Sequence, residues 1–159
     1  GRGFTDQDLD DLVTLVAPQA RQRGVALCRD GALDRTVAAD ANSVRQVLLN
    51  LLLNAVRASP SGARVRLRVR DLGDAASFDV VDAGDGLPEA IRAFLHGAED
   101  GDMPNGQGLG LRTVRRLVDE LGGRLSAASQ PGGGTTVTVT VVDAASFEET
   151  DRQAREAGT

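Results

Sequence analysis

Apolar residues recur with a helical period over Asp6 to Arg23, where Leu9, Leu12, Val13, Val16 and Ala20 share one face. That spacing predicts an amphipathic helix, with Gly24 as its C-cap. From about Ala41 to Ala58 the chain is almost continuously apolar, with Val44, Val47, Leu48, Leu49, Leu51, Leu52, Leu53 and Val56 covering most of a helix's circumference. Asp40 or Asn42 can cap that helix. Pro88–Leu95 reads as a short helix with proline in its first turn, and Leu109–Leu121 as a helix ending at Gly122-Gly123. Strand patterns fall between the helices. Val25–Cys28 and Thr36–Ala39 read as short strands joined through Asp30-Gly31. In Arg64–Leu72, Val65, Leu67 and Val69 alternate with four arginines, so one face is core and the other solvent. Ser77–Val81 is its partner across a Gly73-Asp74 turn, and Arg124–Ser129 and Thr136–Val142 flank Pro131-Gly132-Gly133-Gly134.

This order predicts an α/β (α+β) two-layer sandwich, a mixed β-sheet of about five strands covered on one face by about three helices. Residues 1–143 form one domain and 144–159 a polar tail, frayed or a surface helix. Gly97–Asn105 reads as a mobile, acidic, glycine-containing loop.

Composition removes several function classes. The net charge of −5 disfavours general nucleic-acid binding. All 18 basic residues are arginine, so neither a P-loop lysine nor a Schiff-base lysine exists. Aromatics at 3% with no Trp or Tyr disfavour a base-stacking platform for single strands. The single Cys28 rules out an internal disulfide and reads as a small core residue. No apolar run reaches the length of a membrane span, and the first residues do not resemble a signal peptide, so the domain is expected to have no membrane contact.

Three features carry chemistry. The apolar helix bears one polar stripe, Gln46, Asn50, Asn54 and Arg57, at spacings of four, four and three. A buried amide without a partner costs about 1–3 kcal/mol. The stripe must therefore face either backbone from an adjoining strand or a ligand. Second, the strand ending at Asp82 runs into Ala83-Gly84-Asp85-Gly86, a carboxylate beside glycines that permit close backbone approach to a flat ligand. Such a carboxylate can accept a hydrogen bond from an exocyclic amino group; alone, the motif is also an ordinary Asp-Gly turn. Third, Gly106-Gln107-Gly108-Leu109-Gly110-Leu111 opens a helix, where free N–H groups and the helix dipole favour phosphate.

In this order the three resemble the ATP-binding catalytic domain of bacterial two-component sensor histidine kinases, in the GHKL superfamily shared with gyrase, Hsp90 and MutL. Asp40–Ser59 resembles the N-box, Asp82–Gly86 the D-x-G-x-G box and Gly106–Leu111 the G-x-G-L-G-L box. Gly122-Gly123-Arg124 to Val137 resembles the closing strand pair. The resemblance spans about Asp6 to Val142 and implies the Bergerat fold.

What the resemblance implies is specific. The cofactors would be ATP and Mg²⁺. Asn54 would ligate the metal, with phosphates and waters completing its octahedron. Asn50, one turn earlier, would lie near the phosphates, and both asparagines would be catalytic. Arg57 stands where the family usually has lysine and would contact a phosphate. Asp82 would bind the adenine amino group, with Gly84 and Gly86 letting backbone approach the nucleotide. Gly106, Gly108, Leu109, Gly110 and Leu111 would flank the hinge of an ATP lid, and Thr136 would reach adenine through water. The partners would be a dimerisation domain carrying the phosphoacceptor histidine and a response-regulator receiver domain. The isolated domain would be a cytoplasmic monomer, with its parent either free or membrane-anchored.

Position 50 separates the subfamilies. ATPases of the superfamily, and its anti-sigma serine kinases, place glutamate there; an amide cannot act as a general base. Asn50 thus favours presenting ATP to a histidine. The only histidine, His96, lacks a neighbouring acid and a dimerisation helix, so it reads as a surface or helix-end residue. Only Phe94 answers the family's paired phenylalanines, and the lid segment lacks a basic residue. These departures keep two alternatives open: a partner-docking module without turnover, and an anti-sigma-type serine kinase.

Overall fold

The apolar stretch forms helix α2 (Ala41–Ala58) in the computed structural model, which describes residues 2–97, 108–130, 133–143 and 156. Asp40 caps it, accepting the Ser43 N–H at 2.9 Å. Helix α1 (Asp6–Gln22) buries Leu9, Leu12, Val16 and Ala20 in the same core. It stops where Gly24 adopts a φ of 68°. The C-cap residue Arg23 then donates to the carbonyls of Val56 at 3.2 Å and Arg57 at 2.9 Å. These belong to the last turn of α2, where the regular i to i+4 bonding runs out and, among the described residues, the Val56 carbonyl otherwise meets only the Ser59 N–H at 3.4 Å. One helix end thus holds the other.

The strands are β1 (Ala26–Asp30), β2 (Arg64–Asp71), β3 (Ala75–Asp82), β4 (Arg124–Gln130) and β5 (Gly134–Val142), in the order β1-β2-β3-β5-β4. β1 and β2 are parallel and the other pairs antiparallel, so the sheet is mixed. Val65, Leu67 and Val69 are buried, and the β2 arginines between them are exposed on the opposite face. Phe78 of β3 faces Val69 and Val139 in register and meets Phe4 edge-on at 5.6 Å between ring centroids. The remaining helices are the short α3 (Glu89–Leu95) and α4 (Gly108–Glu120). Three long helices therefore cover the core face, as expected, and α3 adds a short cover near β4.

Three local expectations change. Thr36–Ala39 is not a strand. Val37 makes one bridge with Phe4, through hydrogen bonds of 2.9 and 2.8 Å, and Ala39 N–H turns back onto the Val37 carbonyl at 2.8 Å. That tight turn ends the extended backbone after one pairing, and β1 pairs with β2 instead. Cys28 is not in the core. It stands opposite Arg66 on the open face of the sheet, half-buried, because Leu27 takes the inward position. Pro88 is the N-cap of α3 rather than a residue of its first turn.

Candidate functional site

Five segments line a cavity of about 440 Å³. Helix α2 contributes Leu51, Asn54, Ala55, Arg57 and Ala58, and the end of β3 with its following turn contributes Val80, Asp82, Gly86, Leu87 and Pro88. Ile91 and Leu95 come from α3, Leu111 from α4, and Thr135 and Val137 from β5. The body is apolar, and Asn54, Arg57, Asp82 and Thr135 are the polar side chains on its walls. This is the usual construction of a small-molecule site.

The Asp82 wall is built by close backbone approach. Its Oδ1 accepts the Gly84 N–H at 2.9 Å. Burial pushes the carboxyl above the ordinary aspartate range, and hydrogen bonds from the backbones of Gly84 and Thr135 partly oppose that rise. A Cβ on Gly84 would stand 2.8 Å from the Ala58 carbonyl oxygen, and one on Gly134, at φ +82°, would stand 2.1 Å from that of Asp82. Neither position admits a side chain without moving backbone. Ser59 ties the two walls together: its hydroxyl donates to the Ala55 carbonyl at 2.9 Å and accepts from the Ala83 N–H at 3.4 Å.

The polar stripe of α2 is linked in pairs. Gln46 Nε2 donates to Asn50 Oδ1 at 3.0 Å, and Arg57 Nη2 donates to Asn54 Oδ1 at 2.8 Å. Asn50 Nδ2 donates across to the Gly110 carbonyl at 3.4 Å. The backbone facing the stripe is therefore the first turn of α4, not a strand. Asn54 and Arg57 line the cavity, whereas Asn50 sits on α4 beside it. Gly110 has open space: a Cβ there would meet only Asn54 Nδ2, at 3.9 Å.

Other anchors were not legible as site residues. Arg115 of α4 donates to the carbonyls of Phe94 at 3.2 Å and Gly97 at 2.9 Å, with its guanidinium 4.8 Å from the centre of the Phe94 ring. His96 is the C-cap of α3, and its Nε2 accepts the Ala127 N–H of edge strand β4 at 2.9 Å. Together they hold the chain where it enters the segment 98–107. Gly106 and the rest of that segment lie outside the described residues. Gly108 and Leu109 open α4, and Leu111 is buried against the cavity.

Thr136 needs a correction. Side chains alternate along β5, and Thr135 and Val137 face the cavity. Thr136 points to the open face of the sheet. The signal was present in the sequence: Val137, Val139 and Val141 form the apolar face, and Thr135, not Thr136, shares their period.

Could the site hold a metal? Among the described residues no group of three His, Cys, Asp or Glu could cage one. Asn54 Oδ1, a hard oxygen, already faces a cation, the Arg57 guanidinium. That donor set fits an ion carried mainly by ligand phosphates, as Mg²⁺ is, rather than a protein cage.

Fold and cavity define a two-layer α/β ligand-binding domain with its site between the long helix, the Asp82 turn and the start of α4. Residues 39–145 match the family model described as histidine kinase-, DNA gyrase B-, and HSP90-like ATPase, and the chain belongs to that family. Its relatives are sensor histidine kinases. It is 37% identical over 153 residues to the aerobic respiration control sensor protein ArcB of Escherichia coli K12, covering 90% of this chain and 20% of that protein. It is 34% identical over 139 residues to the C4-dicarboxylate transport sensor protein DctS of Rhodobacter capsulatus, covering 84% and 21%. The chain thus spans about a fifth of the length of these curated relatives. Among solved structures, full-length ShkA in complex with AMPPNP aligns with a TM-score of 0.73 at 29% identity, over 86% of this chain and 29% of that one. A nucleotide-free catalytic domain of the histidine kinase ThkA aligns at 0.77 and 21% identity, over 90% and 97%, which supports the fold.

Proposed function

We propose that this domain binds Mg-ATP in the cavity and presents its γ-phosphate to a histidine on a separate dimerisation domain of a cytoplasmic sensor-kinase module. A response-regulator receiver domain would then take the phosphate. The observation that carries the reading is the meeting of Asp82, Asn54 and Arg57 around one apolar cavity that opens beside the first turn of α4. The half-buried Asp82 offers a fixed acceptor for the adenine amino group, with Thr135 beside it. Leu87, Ile91, Leu95 and Val137 supply the apolar bed for the ring. Arg57 and the N-terminal turn of α4 favour the phosphates. Mg²⁺, held by Asn54 and the phosphates, would supply charge neutralisation in phosphoryl transfer.

Asn50 supports transfer to a side chain rather than to water. Both ends of its amide are engaged, with Gln46 and with the Gly110 carbonyl, and neither is a base. The domain thus contributes positioning and charge, and the nucleophile comes from its partner. No described helix is long and apolar enough to cross a membrane.

Two measurements test this. Calorimetry should show AMPPNP binding with Mg²⁺, weakened at least tenfold by Asn54→Ala, which removes the metal's protein ligand. With labelled ATP and the parent protein's dimerisation domain, the product should carry acid-labile, base-stable phosphate. Phosphoserine would transfer the assignment to a serine kinase. Binding without transfer would leave a docking module.

A further inference from the structure

The oxygen assigned to the metal is already engaged by a cationic side chain. Arg57 Nη2 lies 2.8 Å from Asn54 Oδ1, and Arg57 Nε is held 3.3 Å from the Leu53 carbonyl. Both residues line the cavity, and Arg57 is the only cationic side chain among its described lining residues. The contact spans one helical turn, so it forms without help from other elements. Arg57 is exposed, which leaves the guanidinium free to swing away.

We propose that Arg57 is a surrogate cation: it occupies Asn54 Oδ1 until a nucleotide-borne divalent ion displaces it, and so sets how steeply nucleotide binding depends on metal. This deepens the Mg-ATP reading and rests on it. A carbonyl-type oxygen facing a positive charge loses little when one cation replaces another. Without metal, Arg57 stays on Asn54 Oδ1, and nucleotide binding neither gains nor loses there. With metal, the gain at Asn54 is reduced by the hydrogen bond that Arg57 gives up. The metal dependence is flattened by that hydrogen bond. A charge-assisted hydrogen bond at the lower end of its usual range corresponds to about a tenfold effect.

The test is an AMPPNP titration followed by amide chemical shifts, which also measures weak affinities, with Mg²⁺ and with EDTA. The readout is the ratio of the two Kd values. Arg57→Met should raise that ratio about tenfold over wild type through the Mg²⁺ value, because Asn54 Oδ1 then gives up no hydrogen bond to take the metal. Arg57→Lys should fall between. In an Asn54→Ala background, Arg57→Met should leave the ratio unchanged, because the shared oxygen is gone. Equal weakening with and without metal would overturn the exchange and leave Arg57 as a plain phosphate contact in a valid nucleotide site. Persistence of the steepening in the Asn54→Ala background would overturn it too, assigning the effect to phosphate charge alone. Absence of any AMPPNP binding by wild type would overturn the exchange together with the nucleotide reading. Melting temperatures within about 2 °C of wild type would show that the exposed substitutions leave the fold intact.

Discussion

Asp82→Asn separates binding from folding at a single atom. The asparagine has the same shape, and its side-chain oxygen can still accept the Gly84 N–H that Asp82 Oδ1 accepts at 2.9 Å. The other end changes from an acceptor to an N–H₂ donor. A ligand amino group would then meet a donor where the carboxylate accepted. A hydrogen bond to a charged group contributes about 1.5–3 kcal/mol, so ATP and ADP should bind about 10- to 150-fold more weakly. Stability should move the other way. Burial raises the Asp82 carboxyl above its ordinary range, so the folded state binds the proton more tightly than the unfolded chain. The stability linked to that proton is fully present below the ordinary aspartate value. It is lost as pH rises through the raised one. At neutral pH the charged form is therefore a cost that asparagine removes. Calorimetric ADP titration with a parallel thermal melt at pH 7 is the assay. Unchanged ADP affinity at an unchanged or higher melting temperature would refute the assignment of Asp82 to the base. A large fall in melting temperature would refute the burial argument.

Two glycines should behave oppositely. Gly84→Ala places a methyl 2.8 Å from the Ala58 carbonyl oxygen and should cost about 1–3 kcal/mol in denaturant unfolding as well as affinity. Gly110→Ala meets only Asn54 Nδ2 at 3.9 Å, so urea unfolding should show equal or greater stability while nucleotide affinity falls about tenfold. Asp8 is 1% exposed, and burial alone would raise its carboxyl. Hydrogen bonds from Arg2 and the Thr5 backbone, with the charge of Arg2, hold it below the ordinary range instead. Its contribution is present above the ordinary aspartate value and lost as pH falls through the depressed one, so Asp8→Asn should flatten the acid limb of a pH–stability curve.

The legible part of the fold was the part governed by periodicity. The α1 and α2 stripes, the β2 alternation and the Asp82 and Gly134 turns follow from side-chain spacing and from backbone angles open only to glycine. The failures were at places where a neighbour decides. Thr36–Ala39 has strand-like residues, but one bridge to Phe4 and a tight turn at Val37 leave no length for pairing. Cys28 sits in an apolar run, yet the parallel register with β2 turns it toward Arg66. Thr136 lies one position along from Thr135, which on a strand is a change of face.

For the site, the sequence alone determined which residue types were available: two amides on an apolar helix, a carboxylate followed by glycines, an arginine in place of lysine and no base at position 50. Short-range spacing suffices for that, because residues four apart on a helix must share a side. Tertiary structure decided what those groups face. It set Asn50 against the Gly110 carbonyl, 60 positions away, and closed Asp82 and Asn54 around one cavity. It also chose Ser59, Thr135, Arg115 and His96 as the supports. Such contacts depend on how helices and sheet pack, and local hydrophobic pattern carries no information about which distant backbone group a side chain will meet.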